Sequence, residues 1–493
     1  MPAIRSTKEF FEYDYYSALF PMDTCRFLIT NGERKIQEHI KRCLSDKPKD
    51  SSFQFLAQTR VYASKPKNHL RRTVKLDPVS ELFIYDVIYR NRSKFRRPFK
   101  DEKKHFGYRF ENGSPLPAAS SYKGFKQAQS AYEAQYQHSI SFDVASYFNG
   151  IYHHDIVSWF ANAGATPSDV NSLGTFLRQI NSGRSIDCWP QGIYPAKMVG
   201  NDFLRFIEQN HSIKSDAVVR FMDDFCLYSD DPTALAIDFH TIQKLLGQKG
   251  LSVNPSKTKI GANEEAKIDE RIDDVKASLL SKRRVADKHA YLDDFEAAFE
   301  ALQLTEEELN YIRTLLRTDH LEEEDAELIL SVFREHTEEV RPHLSGFAQS
   351  FPHLAKNIWS FCKHLDDNIF IGEFLDECAN NDSLNEYQLF WFAWILQDFA
   401  METEFAPRII GNLYNHRNAT DISRAKILEI ADSRYGLLEL RDTHLVAGRS
   451  DWLSWASAVG NRKLLPISRN HKLEYFGNSS QMNFLIKSII TET

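Results

Sequence analysis

The chain has 493 residues, is 42% hydrophobic and carries a formal net charge of −7 with six cysteines. That length predicts about three domains; the apolar content excludes global disorder, and the acidic balance excludes an all-over basic nucleic-acid coat. No uncharged apolar run reaches the roughly 18 residues of a membrane span, and scattered cysteines without a C-x-x-C pair exclude a disulfide scaffold and a structural zinc site and fit a reducing cytosol.

The opening segment, MPAIRSTKEFFEYDYY, has no continuous apolar stretch, so no secretory signal is expected. Its tyrosines Tyr13, Tyr15 and Tyr16 form a dense cluster, and residues 33–44 (ERKIQEHIKRCL) have helical periodicity. From Arg60 to Lys126 the chain holds 17 Lys+Arg against 6 Asp+Glu. Such a block inside an acidic chain suggests a confined polyanion site, because phosphates need local positive potential whatever the global charge.

Residues 138–145 (HSISFDVA) and 217–229 (AVVRFMDDFCLYS) read as strands. Residues 168–181 and 197–209 between them read as helices, with Gly183, Pro190 and Gly192 marking turns. FMDD at Phe221–Asp224 places two carboxylates at the bend of an otherwise apolar hairpin, Asp143 sits in another apolar strand, and the intervening helices allow both strands to share one sheet. Three carboxylates meeting across neighbouring strands repel one another and are most simply reconciled by divalent cations. Mg²⁺ is held by one or two carboxylates, with substrate phosphates and water completing its shell. Two such ions activate an attacking hydroxyl and a leaving pyrophosphate. His153 and His154 read as packing or solvent-facing residues rather than ligands.

After Gly261 strand signals fade and helix caps recur: Thr305 with Glu308, Ser383 with Glu386, and Ser450 ahead of WLSWASAVG with Gly460 as the stop. Residues 301–350 hold 4 Lys+Arg against 12 Asp+Glu. The change of texture falls between residues 261 and 285, where EEAKIDERIDDVKASLLSKRR is expected to be helical. The last 200 residues read as an all-α array of degenerate HEAT-like pairs, with Trp391, Trp394, Trp452 and Trp455 in the core.

The motifs resemble the palm of a reverse transcriptase. FDVASYF resembles its first palm motif, with Asp143 as metal ligand and Phe148 as the aromatic that blocks a ribose 2′-hydroxyl. PQGIYPAKMVGNDFL resembles the second: Gln191, Gly192, Asn201 and Leu204 match, and Ala196 stands where the family commonly has Ser. FMDD resembles the Y-x-D-D turn with Phe221 for Tyr. GLSVNPSKTKI resembles the G-L-x-x-N-x-x-K-T segment, with Lys257 as its lysine. HLRRTVKLDPVSELFIYDVIY resembles the fingers motif followed by a long helix, with Arg72 as the triphosphate contact (Arg71 if the register shifts by one) and Lys65 on the preceding strand. Arg90, Arg92, Lys94, Arg96 and Arg97 serve backbone phosphates or face solvent.

That resemblance implies an α/β (α+β) fingers–palm unit over residues 1–261, catalytic and metal-binding Asp143, Asp223 and Asp224, and nucleotide contacts at Lys65, Arg72, Phe148, Gln191 and Lys257. It implies dNTP substrates and two Mg²⁺ ions, with Mn²⁺ as an alternative. No ribonuclease H or Cys/His-rich endonuclease segment is evident, and an acidic helical half over residues 262–493 stands where a basic thumb is expected. In layout, and in WLSWASAVGNR, the chain is similar to bacterial abortive-infection reverse transcriptases, often prophage-encoded. That likeness implies a cytoplasmic phage-defence enzyme making untemplated, protein-primed single-stranded DNA as a homo-oligomer, trimer or hexamer, with no membrane partner. The alternatives are an RNA-templated, retron-like enzyme and a non-catalytic helical-repeat interaction protein.

Overall fold

The computed structural model describes residues 3–45, 53–95, 102–262, 304–318 and 321–493, with residues 275, 276, 278, 279 and 282 between them. Arg96, Arg97 and most of the expected joining helix lie outside the described residues.

Two helices, Thr7–Asp14 and Asp23–Cys43, lead into a hairpin of β1 (Thr59–Lys65) and β2 (His69–Lys75). The next helix, Pro78–Arg90, starts where Asp77 accepts from the backbone N–H of Val79 (2.9 Å) and Ser80 (3.1 Å), with Pro78 in the first turn. That is a strong start signal, since the side-chain oxygen satisfies donors the helix cannot.

Four short strands follow before the hairpin that holds FMDD: β3 (Lys103–Phe106), β4 (Phe110–Glu111), β5 (Ser114–Pro115) and β6 (His138–Asp143). That hairpin is β7 (Ala217–Phe221) and β8 (Asp224–Ser229), and β9 (Lys259–Ala262) comes last. The central sheet has the order β3-β7-β8-β6-β9, antiparallel except where β3 meets β7. Strand alternation decides its two faces. Phe142, Phe225 and Leu227 point to the main core, where Phe142 stacks on Phe225 at 5.1 Å and meets Phe239 of the helix Pro232–Gly247. Val219, Cys226 and Tyr228 point the other way, under Phe125 of the helix Ala118–Gln135.

The C-terminal half is helical, and its helices pack by skipping one. Leu344–Ser350, Asn368–Ala379 and Ala406–Asn415 stack in one layer; Ala355–Cys362, Glu386–Ile395, Asp421–Leu428, Trp452–Gly460 and Gln481–Glu492 stack in the other. Side-chain pairs rung the stack at separations of 30 to 32 residues: Asn412 with Asn380, Arg434 with Glu402, and Tyr414 with His444. Two sequence-based caps move. Asn385 with Gln388, not Ser383 with Glu386, forms the box at the helix Glu386–Ile395, because Ser383 turns back to Asn381. Asp451 rather than Ser450 caps the helix Trp452–Gly460. Gly460 is not a left-handed stop but the helix's final residue: a Cβ there would lie 2.1 Å from the Leu428 carbonyl, so close packing demands glycine. The four tryptophans are buried, as their spacing suggests.

A continuous core runs from Phe10 to Ile490, across the boundary placed at residues 261–262. Gly32 interrupts the helix Asp23–Cys43, and a Cβ there would lie 2.3 Å from Ile489 of the last helix. Glu429 accepts from the backbone N–H of Asp23 (2.9 Å) and Thr24 (2.7 Å), and so caps that N-terminal helix from the other half of the chain. The helical half also holds the outer edge of the β1–β2 hairpin. Glu386 accepts from Tyr62 N–H at 2.8 Å, Asn385 from the Ser64 hydroxyl at 3.0 Å, and Glu323 from Lys67 N–H at 2.7 Å.

Candidate active site

The register of β6 on β8 sets Asp143 directly opposite Asp224. Cross-strand partners bring Cβ atoms within about 4.5–5.5 Å, and like charges there destabilise the pair. Phe221 also pairs with Asp224, so Met222 and Asp223 alone form the turn. Met222 takes φ of 57°, the left-handed value expected at the first turn position, where glycine is the unstrained choice.

Arg220 braces that turn from beneath. It is 0% exposed; its Nη1 donates to the carbonyls of Met222 (2.8 Å) and Asn201 (2.9 Å), and its Nε to Glu208 at 2.5 Å. Burial alone would raise the Glu208 carboxyl, but Arg220 and His105 outweigh it and hold it down to about 2. Sequence reasoning missed this cluster, although an arginine inside AVVRF was the signal, since charge in an apolar strand must be paired.

At the turn the balance is opposite. Burial, then the neighbouring Asp224 and Asp143, push Asp223 up to about 6 against the pull of Lys257. Burial and Asp143 likewise raise Asp224. Asp223 is half-buried and Asp224 exposed to the cleft, so their desolvation comes from the depth of the cleft floor rather than from enclosure. Residues 252–254 run alongside 143–145: Asn254 N–H donates to the Asp143 carbonyl at 2.8 Å and Ala145 N–H to that of Ser252 at 2.8 Å. This segment delivers Lys257, whose ammonium ion-pairs with the Asp143 carboxylate.

These groups line an open cleft of about 950 Å³, together with Lys65, Arg71, Arg72, Phe148, Gln191 and Lys197. Alternation along the hairpin separates its cations: Ala63 pairs with Arg71, so Lys65 and Arg71 share one face, while Arg72, opposite Tyr62, takes the other. Arg71 and Lys65 lie within electrostatic reach of Asp223. Arg71 forms no ion pair among the described residues. Arg72, the residue chosen from the motif, lines the cleft but pairs through Nε with Asp187 at 3.3 Å. The structure therefore places both arginines at the cleft, Arg72 paired with Asp187 and Arg71, the alternative, without an ion pair among the described residues.

Phe148 is 6% exposed in the cleft wall. A Cβ on Gly200 would fall 2.8 Å from its ring, so glycine at 200 is what allows it that position. Gln191 fixes its loop to the hairpin, its carbonyl accepting from the Thr73 hydroxyl at 2.6 Å. Ala196, in place of the expected serine, is buried, and its carbonyl accepts from Trp189 Nε1 at 2.9 Å. Outside the cleft, Arg90 pairs with Asp86 and Asp169, and Arg92 lies 4.0 Å over the Tyr89 ring.

Among the described residues, no three Asp, Glu, His or Cys side chains close around one point to cage a metal ion. The donor set nonetheless fits Mg²⁺ of the substrate-assisted kind: hard carboxylate oxygens on one floor, with repulsion that Lys257 only partly relieves, and open space for phosphates and water. The fit is to Asp143, Asp223 and Asp224 as ligands shared with a substrate.

Comparison with known proteins gives a family match for the part of the chain that contains the sheet. Residues 101–281 match the reverse transcriptase (RNA-dependent DNA polymerase) family. That stretch is thus a reverse-transcriptase-like domain, on a mixed α/β sheet followed by a helix-rich part. No curated protein sequence matches. Similar solved structures include the telomerase from Candida albicans in complex with a TWJ fragment of telomeric RNA (11% identity, 78% of this chain, TM-score 0.31) and the apo telomerase from Candida tropicalis (11%, 86%, TM-score 0.30). The chain covers 64% of the first, under two thirds of its length, and 73% of the second. No described helix is long and apolar enough to cross a membrane.

Proposed function

We propose that the whole chain is a reverse-transcriptase-related DNA polymerase that adds dNTPs to a growing strand. The observation that carries this reading is the gathering of Asp143, Asp223 and Asp224 on one cleft floor beneath Lys65, Arg71, Arg72 and Lys257. Asp143, Asp223 and Asp224 hold two Mg²⁺ ions, or Mn²⁺. When bound, they supply charge that favours an attacking oxygen and a leaving pyrophosphate. The chain's own part is positional. The hairpin cations bind the triphosphate, the Phe148 ring excludes a 2′-hydroxyl, Gln191 holds the loop beneath the hairpin, and Lys257 neutralises Asp143 until substrate arrives.

The polymerase works without template in phage defence of the abortive-infection type, in a bacterial cytoplasm, as a homo-oligomer whose single-stranded DNA stays attached to the protein. Support comes from the acidic, helix-rich second half, which stands where a basic thumb is expected and which we take as HEAT-like pairs. A side-chain hydroxyl then supplies the first nucleophile. Tyr13, Tyr15 and Tyr16 do not line the cleft: Tyr15 donates to Asp23 at 3.0 Å and Tyr16 accepts from Arg26 at 2.8 Å. Tyr62 and Tyr108 do line it, and their hydroxyls make no hydrogen bond among the described residues. The family match favours the second reading, synthesis on an RNA template. Purified protein given Mg²⁺ and one labelled dNTP, with no nucleic acid, distinguishes them. Label that stays with the protein until protease treatment supports the first; label that requires added RNA supports the second.

A further inference from the structure

The structure assigns a positioning role to Asp187: it grips the Arg72 guanidinium by one edge so that the other edge faces the phosphates of an incoming nucleotide. This rests on the polymerase reading but concerns a residue outside every motif of it. Asp187 has φ of 65° and is 5% exposed, in the loop leading to Gln191. Its Oδ2 accepts from Arg60 Nε at 3.1 Å and lies 3.0 Å from Arg60 Nη2; its Oδ1 accepts from Asn149 Nδ2 at 2.9 Å and stands 3.3 Å from Arg72 Nε. The backbone is tied down as well, with Asp187 N–H donating to the Asn149 carbonyl (3.2 Å) and Gln58 Nε2 to the Asp187 carbonyl (2.6 Å).

One buried carboxylate thus joins the fingers hairpin, the helix that bears the Phe148 gate and the Gln191 loop. Two guanidinium groups share it, so the cluster keeps a net positive charge toward the cleft. Arg72 is held through Nε, and its Nη groups have no hydrogen-bond partner among the described residues; its side chain is 44% exposed in the cleft wall. A guanidinium fixed in this way offers a ready pair of parallel donors, which is the geometry phosphate oxygens accept best. Without the carboxylate, Arg60 and Arg72 repel each other and the fork loses its aim.

The test is a double-mutant cycle on the full-length protein. Asp187→Asn should raise the apparent KM for dNTP about ten-fold with kcat nearly unchanged, as expected when a ground-state phosphate contact is misplaced. In an Arg72→Ala background the same change should add less than about two-fold, because its target is gone. Arg72→Lys leaves Asp187 in place but cannot be held by one edge while binding with the other, and should match Arg72→Ala. Additive KM effects, or a wild-type KM in Arg72→Lys, overturn the assignment. Calorimetric binding of inorganic tripolyphosphate separates this from the functional reading. If the wild type binds it and Asp187→Asn weakens binding while neither incorporates dNTP, the polymerase reading fails and the anion site stands; equal binding by both proteins overturns the anion site.

Discussion

Replacing Arg220 with methionine separates what the buried cluster does for stability from what it does for the Met222–Asp223 turn. The side chain that remains is of similar length and apolar, so little volume is lost; what disappears is the partner of Glu208 and the donor to Met222. In the intact protein Glu208 is held from 4.5 down to about 2, an order-of-magnitude contribution of about 3 kcal/mol at 1.36 kcal/mol per pH unit. Since the folded value is depressed, that contribution is present above the unfolded value and fades as pH falls from about 4.5 through about 2. Arg220→Met leaves a buried carboxylate with His105 alone, and removing one partner of a buried pair costs about 3–5 kcal/mol at neutral pH. Protonation of Glu208 relieves part of that cost, so the deficit should be larger at pH 7.5 than at pH 4.5, measured by urea unfolding at both. Arg220→Met/Glu208→Gln should recover most of the stability, because no charge is left unpaired. It should not recover nucleotide incorporation, because the Met222 carbonyl still lacks its donor and the left-handed turn that presents Asp223 is no longer braced. A pH-independent deficit, or a double variant with full activity, would refute the reasoning.

Asp223→Asn with Asp224→Asn should abolish incorporation yet leave the metal-free protein at pH 8 at least as stable as the wild type. The raised folded value of Asp223 means its proton stabilises the fold below about 4 and that benefit is gone above about 6, so the difference from wild type should shrink as pH falls toward 4; loss of stability at pH 8 in a chelator would show that the turn is not strained by its charges. Phe148→Ala should lower the preference for dNTP over rNTP about ten-fold or more by opening the space beside the sugar, read as the ratio of kcat/KM values; an unchanged ratio would move the gate to another residue.

The parts of this site legible in the sequence are those where local chemistry dictates local structure. Apolar, β-branched and aromatic runs on either side of FMDD pointed to a hairpin with its acids at the bend. Asp143, 80 residues earlier, could be placed in the same sheet because helical segments, two in the sequence reading and five in the structure, intervene. What could not be read depends on residues that meet only after folding. Asp187 lies in a loop without periodicity and gains its meaning from Arg60, Arg72 and Asn149, drawn from two distant elements. The choice between Arg71 and Arg72 turned on the register of a twisted two-stranded hairpin, which one residue's shift reverses. The cap falls at Asn385 rather than Ser383 because Ser383 closes a local turn on Asn381, two residues back, whereas the place of Gly460 inside its helix is set by a tertiary contact with Leu428 that cannot be read along the chain.

The grip of Glu386 and Asn385 on the outer edge of the β1–β2 hairpin, and of Glu323 on its turn, bears on how the chain can be cut and how it evolves. A strand edge with unpaired N–H groups is a template for joining foreign strands, and here the helical stack is what covers it. A polypeptide ending near residue 262 would therefore carry a sticky ribbon beside its cleft and should aggregate rather than behave as a minimal polymerase. Changes in the helical stack that leave every cleft residue intact can still alter nucleotide affinity, because the ribbon that carries Lys65, Arg71 and Arg72 is hung from it. Selection acting on the outer helices would then be felt at the triphosphate, some three hundred residues away along the chain.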